Sequence, residues 1–151
     1  MNTSDFSGTP MWVYFTTTWS PQTPTELAMM TEYSKLLGDQ MNELVIDVSE
    51  DPATVKAFMK DQKFDLPVAV DQDGSAQSAR GAYALPVHFF LDADGVVQQI
   101  VYGGAPPEIF IQAITVIVPD FSAQVPTPKP SIPLDLPTDT PVAGQTASPT
   151  P

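Results

Sequence analysis

The chain of 151 residues contains no cysteine, one histidine and one arginine, and only six lysines and arginines in total. Without cysteine there can be no disulfide, thiolate nucleophile, iron–sulfur ligation or thiolate zinc site, although the compartment stays open, since an oxidising space permits disulfides without requiring them. One histidine, His88, rules out multi-histidine metal sites, so neither a metal nor a cofactor is expected. With few cations and a formal net charge of −12, the chain is poorly suited to a phosphate backbone or an anionic membrane surface. No nucleic acid is therefore expected as a partner. Long apolar runs are missing too. No stretch approaches the roughly 18 residues of a membrane span, and neither a signal peptide nor an anchor is visible, so no membrane insertion is expected.

What is abundant is proline, and it is unevenly placed. Of the seventeen prolines, nine lie at or after Pro119. From there Pro, Thr and Ser dominate with scarcely any aromatics, too little apolar surface to offset the entropy of ordering. The expected organisation is one domain over residues 1–118 and a disordered Pro/Thr-rich tail or linker over 119–151. On that reading, deleting the residues after Pro119 would leave the domain's melting unchanged.

Within the domain, Met11 to Phe15 reads as a buried strand, and residues 24–37 as a helix with Leu27, Met30, Tyr33, Leu36 and Leu37 on one face before a stop at Gly38. A strand over 44–48 leads to a helix opened by Pro52, with Val55, Phe58 and Met59 inward. A short extended stretch at 66–70, a turn and a short helix at 75–82 follow. Strands at 87–91 and 96–101 pair through Asp92-Ala93-Asp94-Gly95, and Pro106-Pro107 opens a last helix.

The stretch Trp19-Ser20-Pro21-Gln22-Thr23-Pro24-Thr25-Glu26 carries two helix-start patterns. Ser20 before Pro21 reads as a cap, and Thr23-Pro24-Thr25-Glu26 as a capping box. Ser20 as a hydrolytic nucleophile would need a base, and only His88 is available. The Asp-x-Asp-Gly runs at 71–74 and 92–95 lack the rest of a calcium loop and read as turns. Arg80 reads as covering a helix surface.

Phe15-Thr16-Thr17-Thr18-Trp19-Ser20-Pro21-Gln22-Thr23 resembles the Phe-x-x-x-Trp-Cys-Pro-x-Cys segment of the TlpA/ResA-like thiol-disulfide oxidoreductases, and Leu85-Pro86-Val87-His88-Phe89-Phe90-Leu91-Asp92-Ala93-Asp94-Gly95 resembles their cis-proline strand and hairpin. The similarity runs from about Phe6 to Val118. It implies a thioredoxin-like α/β fold, a central mixed sheet flanked by helices, although members usually carry extra strands before the first one here. Ser20 and Thr23 stand where the two redox cysteines would be, and Glu26 where the subfamily commonly has a glutamate. Thr23-Pro24-Thr25-Glu26 is also similar to the Cys-Pro-Thr-Glu of peroxiredoxins, again with the cysteine replaced. The resemblance further implies that Trp19, Pro86, Val87 and His88 grip an extended segment of a protein partner, and that the protein works outside the cytoplasm. The reading is a thioredoxin-like scaffold without its redox chemistry, acting as a binding module. The alternatives are an enzyme centred on Ser20 and a structural subunit of a membrane-associated complex.

Overall fold

A computed structural model describes residues 8–123. Its sheet has the order β3-β2-β1-β4-β5. The strands are β1 (Met11–Thr16), β2 (Asn42–Val48), β3 (Val68–Asp71), β4 (Val87–Leu91) and β5 (Val97–Tyr102). The helices are α1 (Thr23–Leu37), α2 (Pro52–Gln62), α3 (Ser75–Arg80) and α4 (Pro107–Ile117). β1, β2 and β3 run parallel, whereas β4 and β5 are antiparallel to their neighbours. This is the expected mixed sheet flanked by helices. The described residues contain no helix long and apolar enough to cross a membrane.

All six residues of β1 are buried, which is why this strand is a continuous apolar run rather than an alternating one. Its side chains divide between two faces. Trp12 and Tyr14 join Leu27 and Met30 of α1, Val55 and Met59 of α2, and Phe110 and Ile114 of α4 in the larger core. Met11, Val13 and Phe15 pack with Val87, Phe89 and Leu91 on the opposite face, where α3 contributes only Ala76.

Local chemistry accounts for most boundaries. Asp51 caps α2, its carboxylate accepting from the N–H groups of Ala53 and Thr54 at 3.0 and 3.2 Å, and Lys63 ends the helix in the left-handed region. Asp92 closes the β4–β5 turn by accepting from the amides of Asp94 and Val96, and Asp73 accepts from the amide of Ser75. Those acidic runs serve as turns.

Two expectations need correcting. Leu36 is exposed, because the 3.6-residue repeat that brings Leu27 and Met30 inward continues to Leu37 and turns Leu36 outward. The other concerns the end of the domain. Pro119–Ala123 forms a 3₁₀ turn, and Phe121 is fully buried in the larger core with its ring edge-on to Tyr33, centroids 5.6 Å apart. Ordered packing thus passes the boundary expected at Val118. The Pro/Thr-rich stretch from residue 124 onward, and the first seven residues, lie outside the described residues.

Candidate functional site

The loop from β1 into α1 is held by hydroxyl groups. The Thr23 hydroxyl donates to the Thr17 carbonyl at 2.8 Å and lies 2.6 Å from the Thr16 hydroxyl. Ser20 is buried, and its Oγ donates to Gln22 Oε1 at 2.9 Å. The adjacent Thr18 is fixed from outside the loop, with Glu50 accepting from its N–H at 2.5 Å and from its hydroxyl at 2.7 Å. Trp19 is carried outward on this turn and is 76% exposed.

These contacts overturn the capping roles assigned to Ser20, Thr23 and Glu26. The helix begins at Thr23, its cap residue is Gln22, and no side chain caps it. Gln22 already has helical dihedrals, φ −79° and ψ −27°, whereas a side-chain cap needs an extended residue that can fold back onto the first amides. Ser20 takes part through its carbonyl instead, accepting from Thr23 N–H at 3.1 Å.

Glu26 points inward. Its carboxylate accepts from Tyr14 Oη–H at 2.7 Å and from Gly104 N–H at 2.6 Å. His88 Nε2 lies 3.3 Å from Oε2, next to the carboxylate but short of a well-aligned hydrogen bond. The other imidazole nitrogen, Nδ1, accepts from the Trp12 indole N–H at 3.0 Å, which places the proton of the neutral ring on Nε2, facing the carboxylate. Tyr14 and His88 are cross-strand partners, and their rings stack at 4.1 Å.

Burial sets the charge states of this cluster. Desolvation opposes the charge on Glu26, but His88, the Gly104 amide and Tyr14 outweigh it and hold the carboxyl below its ordinary range. Desolvation pushes His88 down and keeps it neutral. It pushes Tyr14 up, so the phenol keeps its proton.

The Leu85–Pro86 bond is cis. A Cβ on Gly103 would overlap the Pro86 ring and press on Glu26 Oε1, so only glycine lets the chain just after β5 pass this close. Of the residues expected to grip a partner, Trp19 alone is exposed; Pro86, Val87 and His88 are buried. With its two ring nitrogens directed at Trp12 and Glu26, His88 is not available as a base for Ser20. Tyr83, unremarked in the sequence, is 90% exposed in the loop before Pro86. Since Phe15 lies opposite Val87, β1 ends and antiparallel β4 begins at the same end of the sheet. The loops bearing Trp19 and Tyr83 therefore leave the same end of the sheet. Among the described residues no cluster of three His, Asp or Glu could hold a metal.

Asp47 also escaped sequence reasoning. It sits opposite Thr16 in the β1–β2 register, and its Oδ1 has no partner among the described residues. Burial, reinforced by the Glu50 carboxylate, pushes its pKa up to about 8, and burial pushes Glu43 up to about 7. A carboxyl raised in the folded state holds a proton that the unfolded chain releases, so its stabilisation is complete below the ordinary carboxylate range and is lost as pH rises to the folded value. Glu26 and His88 act in the opposite sense, because both are depressed on folding and lose stability as pH falls. Above the ordinary histidine range these two are constant, and the Asp47 term remains. Urea unfolding should therefore show stability falling between pH 7 and 8, with Asp47→Asn flattening that slope. An unchanged slope in the variant would contradict the assignment.

Comparison with known proteins agrees with this geometry. Residues 1–100 match the model of the AhpC/TSA family, and the chain belongs to that family. It is 30% identical over 116 residues to the thiol-disulfide oxidoreductase ResA of Bacillus thuringiensis, covering 76% of this chain and 67% of that one. Among solved structures, a putative thiol:disulfide interchange protein DsbE from Chlorobium tepidum superposes with a TM-score of 0.71 at 18% identity, over 76% of this chain and 84% of the other. An exposed lipoprotein thioredoxin from Streptococcus pneumoniae gives 0.67 at 23% identity, over 75% and 88%. The fold is thioredoxin-like, and the chain has no cysteine.

Proposed function

We propose that this domain is redox-inactive and acts as a protein-binding module, using the end of the sheet where Trp19 and Tyr83 project. The observation that carries this reading is Trp19 itself, a large aromatic left 76% exposed on a loop that Thr18, Glu50 and Thr23 hold in place. Aromatic side chains on pre-ordered loops are the usual anchors of protein interfaces, since they bury much surface at little cost in conformational entropy. The replacement of thiols by hydroxyls supports the other half of the proposal. A serine hydroxyl is far less acidic than a thiol and cannot form a mixed disulfide.

The partner is a protein that presents an extended segment to this end of the sheet. Extracytoplasmic work is part of the proposal and is supported by the exposed lipoprotein among the structural neighbours. Immobilised protein should capture a partner from the native source, and Trp19→Ala should lower its affinity about 30-fold, the loss typical of a 2 kcal/mol hot spot, with unchanged melting. Capture that is indifferent to both Trp19→Ala and Tyr83→Ala would overturn the proposed surface.

A further inference from the structure

We propose that the apolar cavity between the sheet and α3 binds a single-chain carboxylate amphiphile, with its hydrocarbon chain against the sheet and its headgroup at Arg80. The cavity measures about 430 Å³, within the size range of small-ligand sites. Its floor is the second face of the sheet, including Val13, Phe15, Ile46 and Phe89. The sequence of α3 explains why space remains there. Ser75–Arg80 has no large apolar side chain, and the residues it turns toward the cavity are Ala76 and Ala79. Aromatic and branched side chains roofed by alanine methyls leave a volume that the protein cannot close, and empty apolar space costs stability in proportion to its size.

The lining is apolar except for Asp71, which sits at the start of α3, and Arg80, at its other end. Asp71 is already engaged, its carboxylate accepting from Ala76 N–H at 3.1 Å, Gln77 N–H at 2.8 Å and the Ser75 hydroxyl at 3.5 Å. Arg80 is exposed and makes no ion pair among the described residues. Its guanidinium offers a planar fork that matches a carboxylate. Ala79, Arg80 and Val97 reach the surface, so the mouth opens where the cation lies. A single positive group on a chain of net charge −12 suits one monoanionic head, whereas a polyanion would be repelled.

Isothermal titration of the full chain with hexanoate, octanoate and decanoate below their micellar concentrations tests the inference. Affinity should rise about fourfold per added methylene. Arg80→Gln should weaken decanoate about fivefold, the upper range for one exposed ion pair, and leave decanol unchanged. Ala69→Phe, which fills the cavity from β3, should abolish binding of both. Three results would overturn the inference: no saturable binding of decanoate, as when another stretch of this chain or a second copy fills the cavity; decylammonium bound as well as decanoate; or Arg80→Gln without effect.

Discussion

Glu26→Ala should cost about 3–5 kcal/mol of unfolding free energy, the loss seen when one member of a buried, charge-assisted set is removed. The effect comes less from the carboxylate than from what it leaves behind. Tyr14 Oη–H and Gly104 N–H both point at Glu26, and His88 Nε2 has no other partner. Alanine would strand the first two donors and remove the carboxylate beside the third, in a site too enclosed for easy solvation, and each unsatisfied polar group costs about 1–3 kcal/mol. Glu26→Gln is the informative comparison. Its carbonyl can still accept from Tyr14 or from Gly104, so the loss should be smaller, about 1–2 kcal/mol. Urea denaturation of the three proteins side by side should give the order parent, Gln, Ala. Equal stabilities for the parent and Ala would mean that the cluster is solvated in solution.

Phe121→Ala should be nearly as costly, again about 3–5 kcal/mol, because a fully buried aromatic is truncated and a cavity remains. The ring closes the larger core from beyond the end of α4, against Tyr33. Trimming the chain after Val118 should therefore destabilise the domain as much as the point substitution does. Trimming after Ala123 should keep it intact with respect to this contact. If thermal melting were the same for the chain ending at Val118 and the chain ending at Ala123, Phe121 would not be a core residue.

The contrast between Asp51 and Glu26 shows which parts of the structure were legible in the sequence. Asp51 precedes Pro52 and caps α2 through amides two and three residues away, a relation that a local pattern can reveal. The strands and helices were legible for the same reason, since burial on one or both faces leaves a repeat of 2, of 3.6, or an unbroken apolar run. Glu26 satisfies an equally good local pattern, Thr-x-x-Glu, yet its hydrogen-bond partners stand 12 and 78 residues away. The tertiary contacts with Tyr14 and Gly104 won over the local cap, and nothing within a turn of the helix records them. Phe121 was obscured in another way. It sits between Pro119 and a long Pro/Thr-rich stretch, so composition assigned it to the tail, while one aromatic three residues past Val118 was the signal that the core continued. Pro86 and His88 were singled out by resemblance to the family, which did not reveal that both are buried.

The thioredoxin-like scaffold is present while the chain has no cysteine, and the resemblance puts Ser20 and Thr23 at the two redox positions. Insulin reduction by dithiothreitol, followed by turbidity, tests this directly with the parent chain and a Ser20→Cys, Thr23→Cys double variant. The parent should leave the reaction at its uncatalysed rate, and the variant should accelerate it, because a thiol placed at the start of α1 is activated by the amides and dipole there. Acceleration by the purified parent chain, or a folded double variant that stays inert, would contradict the account.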